Sequence, residues 1–502
     1  MDPKTLLTDK MQLIVPVGAL LVGAMVIVPW LSPGSASTEF PLAGEELGTY
    51  EKRRNYYIRS AVQMHADAYK KVREVIVLPI SYLEELRNLP DTVINHVEAL
   101  NEAIQTHYTG LSTYNPLMNH VIRSDLTHNL PRINHLLSKE VAQTVPEYLG
   151  KSREWAPINV NENLLKMVAV ISGHIFIGPE LNRDERYLDA SINYTVDLFK
   201  AAAELKTWHR LIRPIGRYFT PSVHQLQEQR RRAREFLVPV VQKRRALREA
   251  GEEAPDDMLQ WMIAKADKFN VTDDGDIAET QLTLSLAAIH TTTLTATHVM
   301  YDLIGNCAEV IPEIRKEIAT VMAENDNVMT AQALYQMKLL DSVMRESQRM
   351  NTTGPTRFQR RVKRDVTLSD GTLLPAGSTI AVPHTETLSD AAIYSEPHKF
   401  NPYRFYDIRA GKVQDPLNYT NKEQYQFISV SKENMGFGYG RHACPGRFFA
   451  ANEIKLILAR ILLDYDIKMP DGVRGRYPNI VRVSSVMPDP TKEIMFKYVG
   501  EE

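Results

Sequence analysis

One stretch near the C-terminal end constrains this chain more than any other: Phe437-Gly438-Tyr439-Gly440-Arg441-His442-Ala443-Cys444-Pro445-Gly446, a glycine-rich loop ending in a cysteine just before a helical run, Arg447 to Leu463. Glycine lets a backbone come close to a flat ligand, and the positive end of a helix dipole stabilises a thiolate. Cys444 therefore has the surroundings of a ligated cysteine. The other cysteine is Cys307, and two are too few for a disulfide framework and suit a reducing compartment. On local chemistry two further readings of Cys444 stay open, a buried small hydrophobe and a nucleophile. Zinc would need more Cys or His ligands than this spacing provides.

At 502 residues the chain has room for two or three average domains or for one large enzyme domain. Stretches between about 55 and 350 carry helix-like apolar spacing, including Val238 to Leu247 and Leu303 to Met322. From Asp365 the pattern changes to short strands joined by an Asp-Gly turn and a Pro-Ala-Gly turn. The expected fold is therefore mainly α with a small β subdomain. With 59 basic against 61 acidic residues, no whole-protein field favours nucleic acid. The local cluster of Arg230, Arg231, Arg232, Arg234, Lys243, Arg244 and Arg245 is interleaved with Glu228, Glu235 and Glu249, which reads as a solvated helix face. No nucleic-acid partner is expected.

From Met11 to Leu31 there is no formal charge, and a helix over that stretch reaches roughly 30 Å, enough for one N-terminal transmembrane helix. Lys52, Arg53 and Arg54 follow it closely, which favours a cytosolic body. The expected organisation is a lumenal N-terminus at 1–10, an anchor at 11–31, a turn-rich linker at 32–50 and a catalytic domain at 51–502. That order places the protein in the endoplasmic reticulum membrane as a single-pass protein, with its catalytic domain cytosolic and the membrane among its partners.

Two further elements have bland readings when taken alone. Glu346-Ser347-Gln348-Arg349 puts an acid and a base three apart on one helix face, which surface helices do commonly. Gln281 to Met300 carries no formal charge, yet about half of it is polar, so it reads as a buried helix and not as a second span.

Together these elements resemble the cytochrome P-450 family. Phe437, Gly440, His442, Cys444 and Gly446 fill its haem-binding signature, with His442 at the place commonly held by arginine. Ala287-Ala288-Ile289-His290-Thr291-Thr292 resembles the oxygen-binding groove of the family's long central helix, although most members have an acid where this chain has His290. The resemblance runs over nearly the whole chain and looks closest to fungal ent-kaurene-oxidase-like enzymes. It implies the cytochrome P-450 fold and haem b with an axial thiolate from Cys444. It implies Arg360 or the adjacent Arg361 on one haem propionate, with His442 and Arg123 as further donors. Glu346, Arg349 and Arg404 would form a charge network supporting the haem side of the core, and Thr291 and His290 would serve proton delivery.

The implied reaction is insertion of one oxygen atom from O2 into an apolar, terpenoid or polycyclic secondary metabolite. Electrons would come from NADPH through NADPH-cytochrome P-450 reductase, because no nucleotide fingerprint is visible here. The alternative is a haem-thiolate isomerase, dehydratase or oxidative coupling enzyme that performs no net hydroxylation. The expected pocket walls are Ala287 to Thr292, Thr352 to Phe358 and Leu111 to Asn119, mostly neutral segments that favour a substrate with few charges.

Overall fold

The computed structural model describes residues 75–482 and 485–500. Its longer helices are α1 (His96–Ile104), α2 (Pro116–Val121), α3 (Leu130–Leu149), α4 (Val160–Phe176), α5 (Glu185–Thr207), α6 (Pro221–Glu249), α7 (Met258–Lys265), α8 (Asp274–Asn306), α9 (Ile311–Glu324), α10 (Lys338–Met350), α11 (Arg404–Arg409) and α12 (Arg447–Asp464). Helix α8 runs through the middle. It starts where the Asp273 side chain accepts from Gly275 N–H, with Asp274 and Asp276 in the first turn against the positive end of the dipole. Helices α4, α5, α6 and α12 pack against it, and α3 closes the bundle against α4 and α12. Leucines, isoleucines and valines of these helices share one continuous core, with Leu164, Leu198, Leu237, Ile289 and Leu458 almost wholly withdrawn from water.

The strands are short. In chain order they are β1 (Val75–Val77), β2 (Ile94–Asn95), β3 (Ala156–Asn159), β4 (Thr356–Val362), β5 (Val366–Thr367), β6 (Leu373–Leu374), β7 (Thr379–Pro383), β8 (Tyr465–Lys468), β9 (Ile480–Arg482), β10 (Ser485–Met487) and β11 (Glu493–Tyr498). One sheet has the order β1-β7-β4-β2, with β1 parallel to β7 and the other pairs antiparallel. A second has the order β3-β11-β8, and β5-β6 and β9-β10 are separate hairpins. The Asp370-Gly371 turn between β5 and β6 has Gly371 at φ +90°, a backbone that favours glycine.

The mainly α architecture with a small β part is what the residue pattern leads one to expect, with three corrections. Among the described residues no helix is long and apolar enough to cross a membrane. The expectation of a transmembrane helix, and with it the membrane partner and the single-pass endoplasmic reticulum location, is therefore withdrawn; residues 11–31, on which it rested, lie outside the described residues. Second, the apolar spacing from Leu303 to Met322 is not one helix. The chain turns at Cys307, and Pro312, which lacks an N–H, sits in the first turn of α9. Third, the arginines of α6 form more than a solvated face. Arg231 and Arg232 pair with Glu228 in water, but Arg230 and Arg245 bind Glu279 and Asp274 of α8, and buried Arg244 binds Asp257 at 2.6 Å.

One buried acid in the bundle gives this fold a pH dependence. Glu453 of α12 is wholly buried, accepts from Ser172 Oγ at 2.7 Å, and has no partner for its second oxygen. Burial pushes its pKa up to about 8. A raised carboxyl pKa means that the folded state holds a proton the unfolded state releases. The associated stability is complete below the unfolded value, near 4.5, and is lost as pH rises toward about 8. The melting temperature should therefore fall from pH 6 to pH 9 more steeply in the natural protein than in Glu453→Gln, by on the order of a few kcal/mol in stability. Parallel pH profiles for the two proteins would show that Glu453 is ionised in the fold.

Candidate active site

The cysteine loop is held by its own backbone. Cys444 N–H donates to Phe437 O at 2.8 Å, Ala443 N–H to Gly440 O at 3.0 Å and Gly438 N–H to Met435 O at 2.9 Å. Gly438 and Gly440 adopt φ of +77° and +67°, which side chains rarely tolerate. The Phe437 ring packs edge-on against Phe427, fixing the loop to the core. Gly446 caps α12, and a Cβ built on it would meet no protein atom within 4 Å. Packing inside the protein therefore does not explain that glycine, whereas a flat group lying beside the sulfur would use the room it leaves.

Cys444 keeps accessible surface, whereas Cys307 is buried. Burial pushes the Cys444 thiol up; the Gly446 and Arg447 N–H groups and the Arg447 guanidinium oppose that by favouring the thiolate. A coordinated metal cation would decide the balance, since it deprotonates a thiol outright. Cys307 lies against Asp302 O, and burial first, then Asp302, raises its pKa strongly, so it is inert as a ligand or nucleophile.

On one side of the loop, cations gather. Arg360 of β4 is buried, with its Nη1 3.2 Å from His96 Nδ1, a nitrogen that also lies 3.4 Å from Gln359 O. Burial, then the Arg360 charge, pushes His96 down to about 4, and burial brings Arg360 to about 10. The His442 ring lies 5.2 Å from that of His96, and Arg441 binds Asp91 at 2.9 Å. Arg123, in a π-helical turn at Ile122–Leu126, donates to Arg441 O at 3.2 Å. Arg123, Arg360 and Arg441 thus exceed the charge of Asp91, an arrangement that suits a group carrying two carboxylates. Arg361 points elsewhere, donating to Thr379 Oγ1 at 3.3 Å. His96 and Asp91 belong to this cluster without any motif in the sequence to announce them.

Along α8, Ala287 and Thr291 are exposed and Ala288, Leu294 and Thr295 half-exposed, while Ile289, Thr292, Thr293 and Ala296 are buried. A helix enclosed on its other sides that keeps one four-residue-spaced stripe accessible borders an internal hollow. Thr291 Oγ1 donates to Ala287 O at 2.8 Å, so its lone pairs face outward as acceptors. His290 is turned to a neighbour instead. Its Nε2 is 2.8 Å from Ile192 O of α5, and because a carbonyl only accepts, that nitrogen carries the proton. Burial lowers its pKa, which keeps the ring neutral at neutral pH.

Behind the loop, Glu346 of α10 is wholly buried and receives two arginines. Arg349 grips it with Nε and Nη2 at 2.9 and 2.8 Å, and Arg404 Nε donates to both oxygens at 3.0 and 3.1 Å. The remaining donors reach carbonyls: Arg349 Nη1 those of Leu388 and Pro397, and Arg404 Nη1 that of Ser395. A Cβ at Gly436 would overlap the Gln348 amide, so α10 lies directly under the start of the cysteine loop.

Comparison with known proteins agrees with this geometry. Residues 113–496 match the cytochrome P-450 family. The chain is similar to cytochrome P-450 monooxygenase braC of Annulohypoxylon truncatum, 34% identical over 489 residues that cover 94% of this chain and 95% of that one. It is similar to cytochrome P-450 monooxygenase ATR3 of Stachybotrys chlorohalonatus, 34% identical over 448 residues that cover 88% of this chain and 93% of that one. With matches of that extent, the chain belongs to the cytochrome P-450 family, as an oxidoreductase of the haem-thiolate monooxygenase kind whose cofactor is haem b on a cysteine thiolate.

Proposed function

We propose that Cys444 is the proximal ligand and that the enzyme hydroxylates an apolar small molecule. The carrying observation is the pairing of an accessible cysteine at the head of α12 with the accessible stripe of α8, two helices that pack on each other. Overall, substrate C–H and O2 with two electrons and two protons give an alcohol and water. Haem on a thiolate supplies the activation of dioxygen, because electron density from sulfur favours O–O cleavage. Electrons come from NADPH through NADPH-cytochrome P-450 reductase.

This chain's residues position and protonate. Arg360, Arg123 and His442 would hold the cofactor's carboxylates, and Phe437, Gly440 and Gly446 would shape the loop that receives it. Thr291 accepts a hydrogen bond from a water in the hollow and passes a proton on by rotating its hydroxyl away from Ala287 O. His290, with its N–H committed to Ile192 O, acts as a positioning residue that pins α8 to α5 and not as a proton source. The small, neutral stripe of Ala287, Ala288, Leu294 and Thr295 supports a bulky apolar substrate, and we propose a terpenoid or polycyclic secondary metabolite. The relatives support the family as a whole and single out no ent-kaurene-oxidase-like group.

Reconstitution with the reductase tests the reaction: with isotopically labelled O2, one labelled oxygen should enter the product for each NADPH consumed. Product formed without NADPH or O2 would favour isomerisation or dehydration instead. Thr291→Ala should go on consuming NADPH but release peroxide, with product formation down about a hundredfold. Full coupling in that variant would rule out the Thr291 relay.

A further inference from the structure

Most arginines inside this protein meet a carboxylate: Arg244 has Asp257, Arg349 and Arg404 share Glu346, and Arg409 has Asp341. Arg357 does not. Its guanidinium donates to Thr356 O at 3.2 Å and to Thr353 Oγ1 at 2.5 Å, and only burial acts on its pKa, which it lowers. A guanidinium has five N–H donors, so most of this one is unserved. Close by, at the end of β7, His384 is 1% exposed. Met435 N–H donates to its Nε2 at 3.2 Å, so Nδ1 carries the proton, and that N–H has no acceptor. The strands bring the two together, since Arg357 pairs with Val382 and Thr356 with Pro383. A β-bulge between Arg357 and Arg360, with Phe358 at φ +56°, re-aims β4 at this point.

The position is also right for a ligand. Arg357 and Thr353 keep accessible surface on the segment that follows α10, and α10 packs against α8, the helix with the Thr291 stripe. A half-buried guanidinium with no carboxylate partner and with donors left accessible is a seat for an anion. Planar and fork-shaped, a guanidinium matches a carboxylate in two parallel hydrogen bonds.

We propose that Arg357, assisted by the His384 N–H, recognises a carboxylate on an otherwise apolar substrate and so sets which carbon faces the cofactor. This rests on the haem-thiolate reading above. The substrate class narrows from apolar molecules in general to apolar acids.

The test uses the full-length haem-loaded enzyme and a panel of probes, abietic acid, dodecanoic acid and naphthylacetic acid, each beside its methyl ester. Binding is read from the substrate-induced shift of the haem absorption band. At least one acid should bind about tenfold or more tightly than its ester. Arg357→Met should erase that preference by weakening the acid alone, and Arg357→Lys should restore part of it. No acid preferred over its ester, or a preference unchanged in Arg357→Met, would overturn the proposal. Loss of haem from Arg357→Met would overturn it too, because the carboxylate bound would then be the cofactor's own. If the natural protein lacked the spectrum of thiolate haem, the functional reading would fail, an outcome separate from these.

Discussion

Arg349→Ala is expected to yield protein that carries little or no haem and melts well below the natural enzyme. The reason is the depth of the network. Glu346 is 0% exposed, and Arg349 supplies two of the hydrogen bonds that neutralise it. Removing that side chain takes two hydrogen bonds from a buried carboxylate, leaves Arg404 as its one cationic partner, and strips the Leu388 and Pro397 carbonyls of their donor. Breaking one side of a buried ion pair costs about 3–5 kcal/mol, a large share of a total stability of roughly 5–15 kcal/mol. The loss falls on α10, whose Gln348 supports Gly436 at the start of the cysteine loop, so the cofactor is the first thing to go. Arg349→Lys should fail in the same direction, because an ammonium cannot bridge both oxygens and two carbonyls. Haem per polypeptide and the thermal midpoint check this. Full haem content with lost activity would make Arg349 a redox or substrate residue instead.

How far the sequence discloses this site depends on how local its parts are. The cysteine loop and the stripe around Thr291 were legible because their chemistry lies within a few consecutive residues: glycines at positive φ, a helix start, small residues spaced by one turn. Glu346 and Arg349 lie on one helix face, and their burial follows from Arg404, far along the chain. The cation cluster is another matter. His96 meets Arg360 across 264 residues because β2 pairs with β4, with Asn95 beside Arg361. Two-residue β2 has too short a pattern to be read from sequence, and neither His96 nor Asp91 lies in a motif that marks it. Arg360 and Arg361 are told apart only by the fold, which buries Arg360 beside His96 and turns Arg361 to Thr379 Oγ1. His290 shows the converse limit: its place next to Thr291 invites a proton-delivery role, but its partner, Ile192, is on another helix. Arg357 was hidden inside a segment that looks neutral when taken as a whole. What sets it apart is that burial alone acts on it, with no carboxylate near enough to offset that, whereas Asp341 acts on buried Arg345 and Asp91 on Arg360.

The central claim is that Cys444 binds haem iron as a thiolate, and one spectrum tests it most directly. Cys444 is the accessible member of the two cysteines, and hydrogen bonds from the Gly446 and Arg447 N–H groups favour its charged form. Reduced and exposed to carbon monoxide, the natural protein should show the red-shifted absorption band diagnostic of thiolate haem. Cys444→Ala should lose that band completely, and product formation with it. Cys307→Ala, at a buried position, should keep the band and lose at most modest stability. An unshifted band in the natural protein, or a red-shifted band that survives Cys444→Ala, would contradict the account at its foundation.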